Sequence, residues 1–121
     1  MHHWHAYGYT GHEIPPDSHA RDDGRAVMPR ELDAWFRKPK TMLAGTYHHV
    51  DEAYAWLAKE LGGHTPVPGG LPVELHLEHA HRMLQLGQDA YIGYYEPGRI
   101  VVRTLLTCPR GRERCPDPRS A

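Results

Sequence analysis

Ala90-Tyr91-Ile92-Gly93-Tyr94-Tyr95-Glu96-Pro97-Gly98-Arg99-Ile100-Val101-Val102-Arg103-Thr104-Leu105-Leu106-Thr107 is the stretch on which the reading of the fold turns. Two runs rich in β-branched and aromatic residues flank a Pro-Gly pair. Proline presets the first φ of a type II turn and glycine accepts the positive φ of the second, so Pro97 and Gly98 suit its central positions. A simple closure sets Tyr95 opposite Ile100 and Tyr94 opposite Val101. Both faces of that pair carry apolar groups, which predicts a hairpin inside a sheet rather than at its rim.

Working back from the hairpin, Val73, Leu77, Ala80 and Leu84 form one helical stripe that Gly87 ends. Pro66-Val67-Pro68-Gly69-Gly70-Leu71-Pro72 is a connector: no phosphate-loop consensus follows it. Before it, Val50, Tyr54, Leu57 and Leu61 recur at helical spacing, with Asp51 and Glu52 in the first turn and Gly62-Gly63 as the stop. Thr41 to Thr46 is a short apolar run that suits a strand. Pro29 is placed to open a short helix that buries Leu32, Trp35 and Phe36 before Pro39. Gly11 to Arg25 has no period and reads as an exposed loop. His3 to Tyr9 alternates, with Trp4, Ala6 and Gly8 on one face and His3, His5, Tyr7 and Tyr9 on the other, as a first strand would.

These elements predict an α+β fold. A small, mostly antiparallel sheet, built from the N-terminal strand, the middle strand and the C-terminal hairpin, is covered on one face by about three helices. The 121 residues are one domain's worth, assigned as 1–108, with an Arg/Pro-rich stretch, 109–121, expected as a mobile tail. No apolar run reaches the length a spanning helix needs, and the N-terminus lacks the pattern of a secretory signal, so the expected location is the cytoplasm.

A formal charge of −1 gives no global pull toward nucleic acid or anionic membrane. Two clusters are basic, Arg37-Lys38-Lys40 and the tail arginines Arg110, Arg112, Arg114 and Arg119, and with Trp35, Phe36 and the tyrosines as stacking groups they resemble a phosphate-and-stacking surface. The acidic residues offset them, and no helix-turn-helix or zinc-finger spacing is present. Eleven histidines stand beside 14 Lys and Arg and 15 Asp and Glu, so protonating all of them would take the charge to +10. A chain this rich in Ala, Gly, Pro and Arg also has a compositional reason for its histidine.

Two cysteines and the histidines are the chemistry to weigh. His3 and His5 point the same way on a strand, as paired ligands do. His76 and His79 lie about 60° apart on a helix and offer two ligands at i and i+3, whereas His81 turns to another side. Glu78 with His81 has Glu-x-x-His spacing, but no second copy exists for a di-metal site. His76-Leu77-Glu78 lacks the Pro-Cys-x-x-Cys partner of a zinc deaminase. Cys108 and Cys115, with six residues between them, allow free thiols, a short disulfide loop, or two zinc ligands completed by histidines. Met1-His2-His3 also offers the square-planar nitrogen set that copper or nickel prefers. Nucleophilic catalysis has little to draw on, since Ser18 and Ser120 are the only serines and no G-x-S-x-G occurs.

The functional expectation is a small, soluble, non-catalytic binding or regulatory module for a protein partner or small ligand. Tyr91, Tyr94 and Tyr95, with Tyr7 and Tyr9, either pack in the core or leave aromatic surface at a sheet edge, which would give it a contact patch or a homodimer interface. The alternative is a transition-metal protein with structural zinc, or one handling nickel or copper, whose candidate ligands are His3, His5, His76, His79, Cys108 and Cys115.

Overall fold

Four strands form one antiparallel sheet in the computed structural model, which describes residues 2–120. They are β1 (His3–Gly11), β2 (Leu43–Tyr47), β3 (Ala90–Glu96) and β4 (Arg99–Cys108), in the order β2-β1-β4-β3. Three α-helices accompany them: a single turn, α1 (Asp17–Ala20), then α2 (Val50–Leu61) and α3 (Val73–Gln85). The α+β class read from the sequence is the one observed.

The hairpin has the register its sequence implies, with Tyr95 paired to Ile100 and Tyr94 to Val101. Glu96 pairs with Arg99 across a two-residue turn, and Gly98 takes a φ of +78° there. That conformation would strain any residue with a Cβ. The hairpin does not lie wholly inside the sheet, however. β4 is central and buried on both faces from Ile100 to Leu106, while β3 is the edge strand. Ala90, Ile92 and Tyr94 face the helices, and Tyr91 and Tyr95 on the opposite face are 47% and 56% exposed. The sequence leaves those rings open to core packing or to exposure at a sheet edge, and the strand order makes Tyr91 and Tyr95 surface while Tyr94 and Tyr7 are buried.

The sheet is covered on both faces, not one. α2 and α3 pack Ala53, Leu57, Leu61, Ala80 and Leu84 onto Trp4, Ala6, Val101 and Leu105. The reverse face packs Tyr7, Val102, Leu106 and Cys108 against Trp35 and Phe36. Those two aromatics belong to a 3-10 helix, Leu32–Arg37, which begins three residues after Pro29 rather than at it. Alternation along β1 divides its side chains between these two cores as the sequence pattern requires.

α3 closes with a Schellman motif: Gln88 N–H donates to the Met83 carbonyl (3.0 Å) and Gly87 N–H to that of Leu84 (2.9 Å). Gly87 supplies the positive φ, at +72°. The Trp4 indole N–H then donates to the Gln88 carbonyl at 3.0 Å, tying the helix end to β1.

Residues 109–120 lie against this frame. Arg110 makes a bidentate pair with Asp89 (2.9 and 3.0 Å) and a further bond to Asp33. Asp89 also accepts from the Thr107 N–H at 2.8 Å. Burial alone would raise the Asp89 pKa, but the Arg110 hydrogen bonds, those of Thr107 and the Arg110 charge together hold it below its ordinary value of 3.8. A carboxylate with a depressed folded pKa adds stability above its unfolded value, and that stability is lost as pH falls through the folded value. Asp89→Asn is therefore expected to cost about 2–3 kcal/mol near neutral pH, less than the 3–5 of a fully buried pair. The deficit should shrink toward zero as the pH is taken below that of ordinary carboxylates. Urea melts of both chains measure this, and a deficit unchanged at about pH 2 would refute the account.

Candidate metal centre

Strand pairing assembles the first three side chains of the centre. His3 and His5 are two residues apart on β1, so both project toward the reverse face. His3 pairs in register with Cys108 on β4, and His5 with Thr46 on β2. His3, His5 and Cys108 are all buried. Their neighbour Phe36 meets the His5 ring edge to face, with centroids 5.4 Å apart.

Cys115 arrives by a separate route. Arg110 is anchored by Asp89 and Asp33, and the chain then turns back, with Glu113 N–H donating to the Arg110 carbonyl at 2.9 Å. Glu113 pairs with Arg37. The turn returns Cys115 beneath β1, where its Sγ lies 3.4 Å from His5 Nε2 and 3.9 Å from His3 Nε2. The two imidazole Nε2 atoms are 3.1 Å apart. One ligand atom from each of His3, His5, Cys108 and Cys115 falls within 4.8 Å of all the others. Among the described residues this is the one place where three or more His, Cys, Asp or Glu ligand atoms converge.

Hydrogen bonding behind His5 fixes which of its nitrogens is available. Thr46 Oγ1 has a single proton, and donates it to the Asp117 carboxylate at 3.0 Å, because a carboxylate only accepts. The same Oγ1, 2.9 Å from His5 Nδ1, must then accept from an Nδ1–H. His5 is left with its lone pair on Nε2, facing His3 and Cys115. An imidazole oriented through its far nitrogen by a hydroxyl and a carboxylate is the outer arrangement that metal-ligating histidines use.

Burial, reinforced by the neighbouring His3, lowers the His5 pKa to about 4, with Asp117 opposing. His3 is lowered as well, by burial first and then by His48, whose ring centroid is 5.1 Å away. Burial, followed by the hydrogen bond and charge of Cys115, raises Cys108 to about 11. Neither cysteine is in a disulfide. The set offers two borderline nitrogens and two soft sulfurs, which is a zinc-type donor set.

The other sequence candidates lie elsewhere. His76 and His79 lie on α3, outside the four-residue cluster: the His76 ring stacks on Tyr94 at 5.2 Å, and His79 is exposed. Buried His76 Nε2 has no hydrogen-bond partner among the described residues. Met1, and with it the amino-terminal copper or nickel set, lies outside the described residues, and the His3 imidazole faces the four-residue cluster. Of the basic trio, Lys38 is buried and donates to the carbonyls of His19 (3.3 Å) and Asp22 (2.8 Å). Arg37 pairs with Glu113 and Asp23, which leaves Lys40 as the exposed charge without an ion-pair partner among the described residues. Thr46 and Asp117 were not among the candidates, because nothing local marks a threonine or an aspartate as the support of a distant histidine, and Arg110, read as one of the basic tail residues, is engaged by Asp89 and Asp33 instead. Among the described residues no helix is long and apolar enough to cross a membrane. No protein-family model, curated protein or solved structure matches the chain.

Proposed function

We propose that the chain binds one zinc ion through His3, His5, Cys108 and Cys115, and that the ion locks the C-terminal stretch onto the sheet. The observation that carries this reading is the convergence of the four ligand atoms within 4.8 Å. Ligands at ~2.0–2.3 Å from a tetrahedral zinc stand about 3.3–3.8 Å apart, so small side-chain adjustments would close the shell. Four protein ligands leave no open position for substrate, which favours a structural over a catalytic ion.

The test is the metal content of untagged protein after exhaustive dialysis, with zinc, copper and nickel assayed together. One equivalent of zinc is expected in the wild type and none in Cys115→Ser or His5→Ala. Thr46→Val, which keeps every ligand but removes the hydroxyl behind His5, is expected to weaken affinity by about 10- to 100-fold. Full-length protein that binds no metal, or variants that bind as well as the wild type, would refute the reading.

A second reading, a non-catalytic binding or regulatory module, is favoured by Tyr91 and Tyr95 exposed together on an edge strand. Edge strands with exposed aromatic groups offer both backbone pairing and contact area to a protein partner or a second copy. The two readings are compatible, since a zinc-stabilised domain can present such an edge. Solution mass in wild type and Tyr95→Lys tests self-association separately from metal.

A further inference from the structure

Cys108 and Cys115 differ in one respect that matters chemically. Cys108 is 4% exposed at the end of β4, whereas Cys115 is half-buried and lines an open cleft of about 360 Å³. Phe36 and Leu43 form part of the cleft wall, and Lys40 and Arg114 bring positive charge to it. The two sulfurs lie within 4.8 Å of each other. A small oxidant entering the cleft thus meets Cys115 in its wall, with the buried Cys108 sulfur within that distance of it.

Resting on the zinc reading, we propose that the centre is a hydroperoxide-sensitive switch in which Cys115 is attacked first, Cys108 resolves it as a disulfide, and the zinc leaves. The Cys115 thiolate attacks the terminal oxygen of a hydroperoxide. The O–O bond breaks, the leaving alkoxide takes a proton, and Cys115 becomes a sulfenic acid. The Cys108 thiolate then attacks that sulfur, so that an S–S bond forms, the S–O bond breaks, and hydroxide departs as water after protonation. In sum, two thiolates, two protons and one hydroperoxide give a disulfide, an alcohol or water, and one further water. The cysteines lose two electrons and the peroxide gains them.

Closing the bond requires the sulfurs to move to about 2.0 Å from each other. Cys108 is fixed in the sheet, so the adjustment falls on the stretch 109–115, which turns at Gly111. With both sulfurs consumed, only the His3 and His5 nitrogens would remain, too few to hold zinc against solvent. The chemical class of effector is set by the cleft: a small, water-soluble hydroperoxide rather than a macromolecule.

The experiment loads the full chain with zinc, confirms one equivalent, adds one equivalent of hydrogen peroxide, and follows zinc with a chromogenic chelator. Thiol titration and peptide mapping run alongside. The expected result is release of one zinc with the joint loss of both thiols, a Cys108–Cys115 disulfide in the map, and recovery of thiols and zinc uptake on adding a dithiol reductant. In Cys108→Ser, Cys115 is expected to stop as a sulfenic acid that dimedone traps. Zinc retained with both thiols intact would overturn the switch and leave the zinc reading standing. So would release in which Cys115 is over-oxidised while Cys108 stays reduced. Failure to take up zinc before peroxide is added would overturn both, and is recognised at that earlier step.

Discussion

Removing zinc from the wild-type chain with a chelator is expected to lower its melting temperature by about 15 °C, when free zinc was previously held near a thousand times its dissociation constant. A ligand that binds only the folded state at that excess adds about 4 kcal/mol, and each kcal/mol moves a domain of this size by roughly 3–5 °C. The topology gives a second reason to expect a large effect. His5 and Cys115 are 110 residues apart in sequence, so an ion joining them closes almost the whole chain into one loop. By the chain-entropy argument developed for disulfides, a cross-link over about 100 residues removes near 4–5 kcal/mol of freedom from the unfolded chain. His5→Ala also lowers the stability of the metal-free form, because it removes an imidazole packed against Phe36. The informative quantity is the difference between melts with and without chelator. That difference should be large in the wild type and near zero in His5→Ala and Cys115→Ser. A wild-type curve indifferent to chelator would remove the structural role assigned to the ion.

What the sequence could and could not reveal follows from the range of the interactions. The Tyr95–Ile100 register and the two faces of β1 were legible because they depend on a local turn and on alternation. Strand order was not, since Tyr91 and Tyr95 have the same apolar character whether β3 lies inside the sheet or at its edge. The centre divides the same way. His3 and His5 were legible as a pair because period two puts them on one face. The contribution of Cys115 depends on Arg110 finding Asp89 and Asp33, and Glu113 finding Arg37, all contacts between residues far apart in sequence. Histidine density pointed to α3, yet helical spacing turns His81 away from the side that His76 and His79 share. His76 is turned to Tyr94 and His81 to Tyr54.

Leu105→Ala is expected to destabilise the domain by about 3–5 kcal/mol, among the largest effects of any single substitution here. Leu105 lies at the middle of the central strand with no exposed surface, in the core formed with α2 and α3. Neighbours on paired strands and helices hold the surrounding backbone, so the cavity can collapse only in part. The position also separates two kinds of stability. Leu105 faces the helices, and the four candidate ligands lie on the reverse side of the sheet. Energies of such separated sites add. Leu105→Ala should therefore lower the melts of the zinc-loaded and chelated chains by equal amounts, leaving the gap between them and the zinc affinity as in the wild type. His5→Ala should do the opposite, abolishing the gap. Denaturant melts of both variants, each run with zinc and with chelator, make the comparison. A Leu105→Ala chain whose zinc affinity falls along with its stability would mean that the two faces of the sheet are coupled, and that the ion senses the whole core rather than the tail it holds.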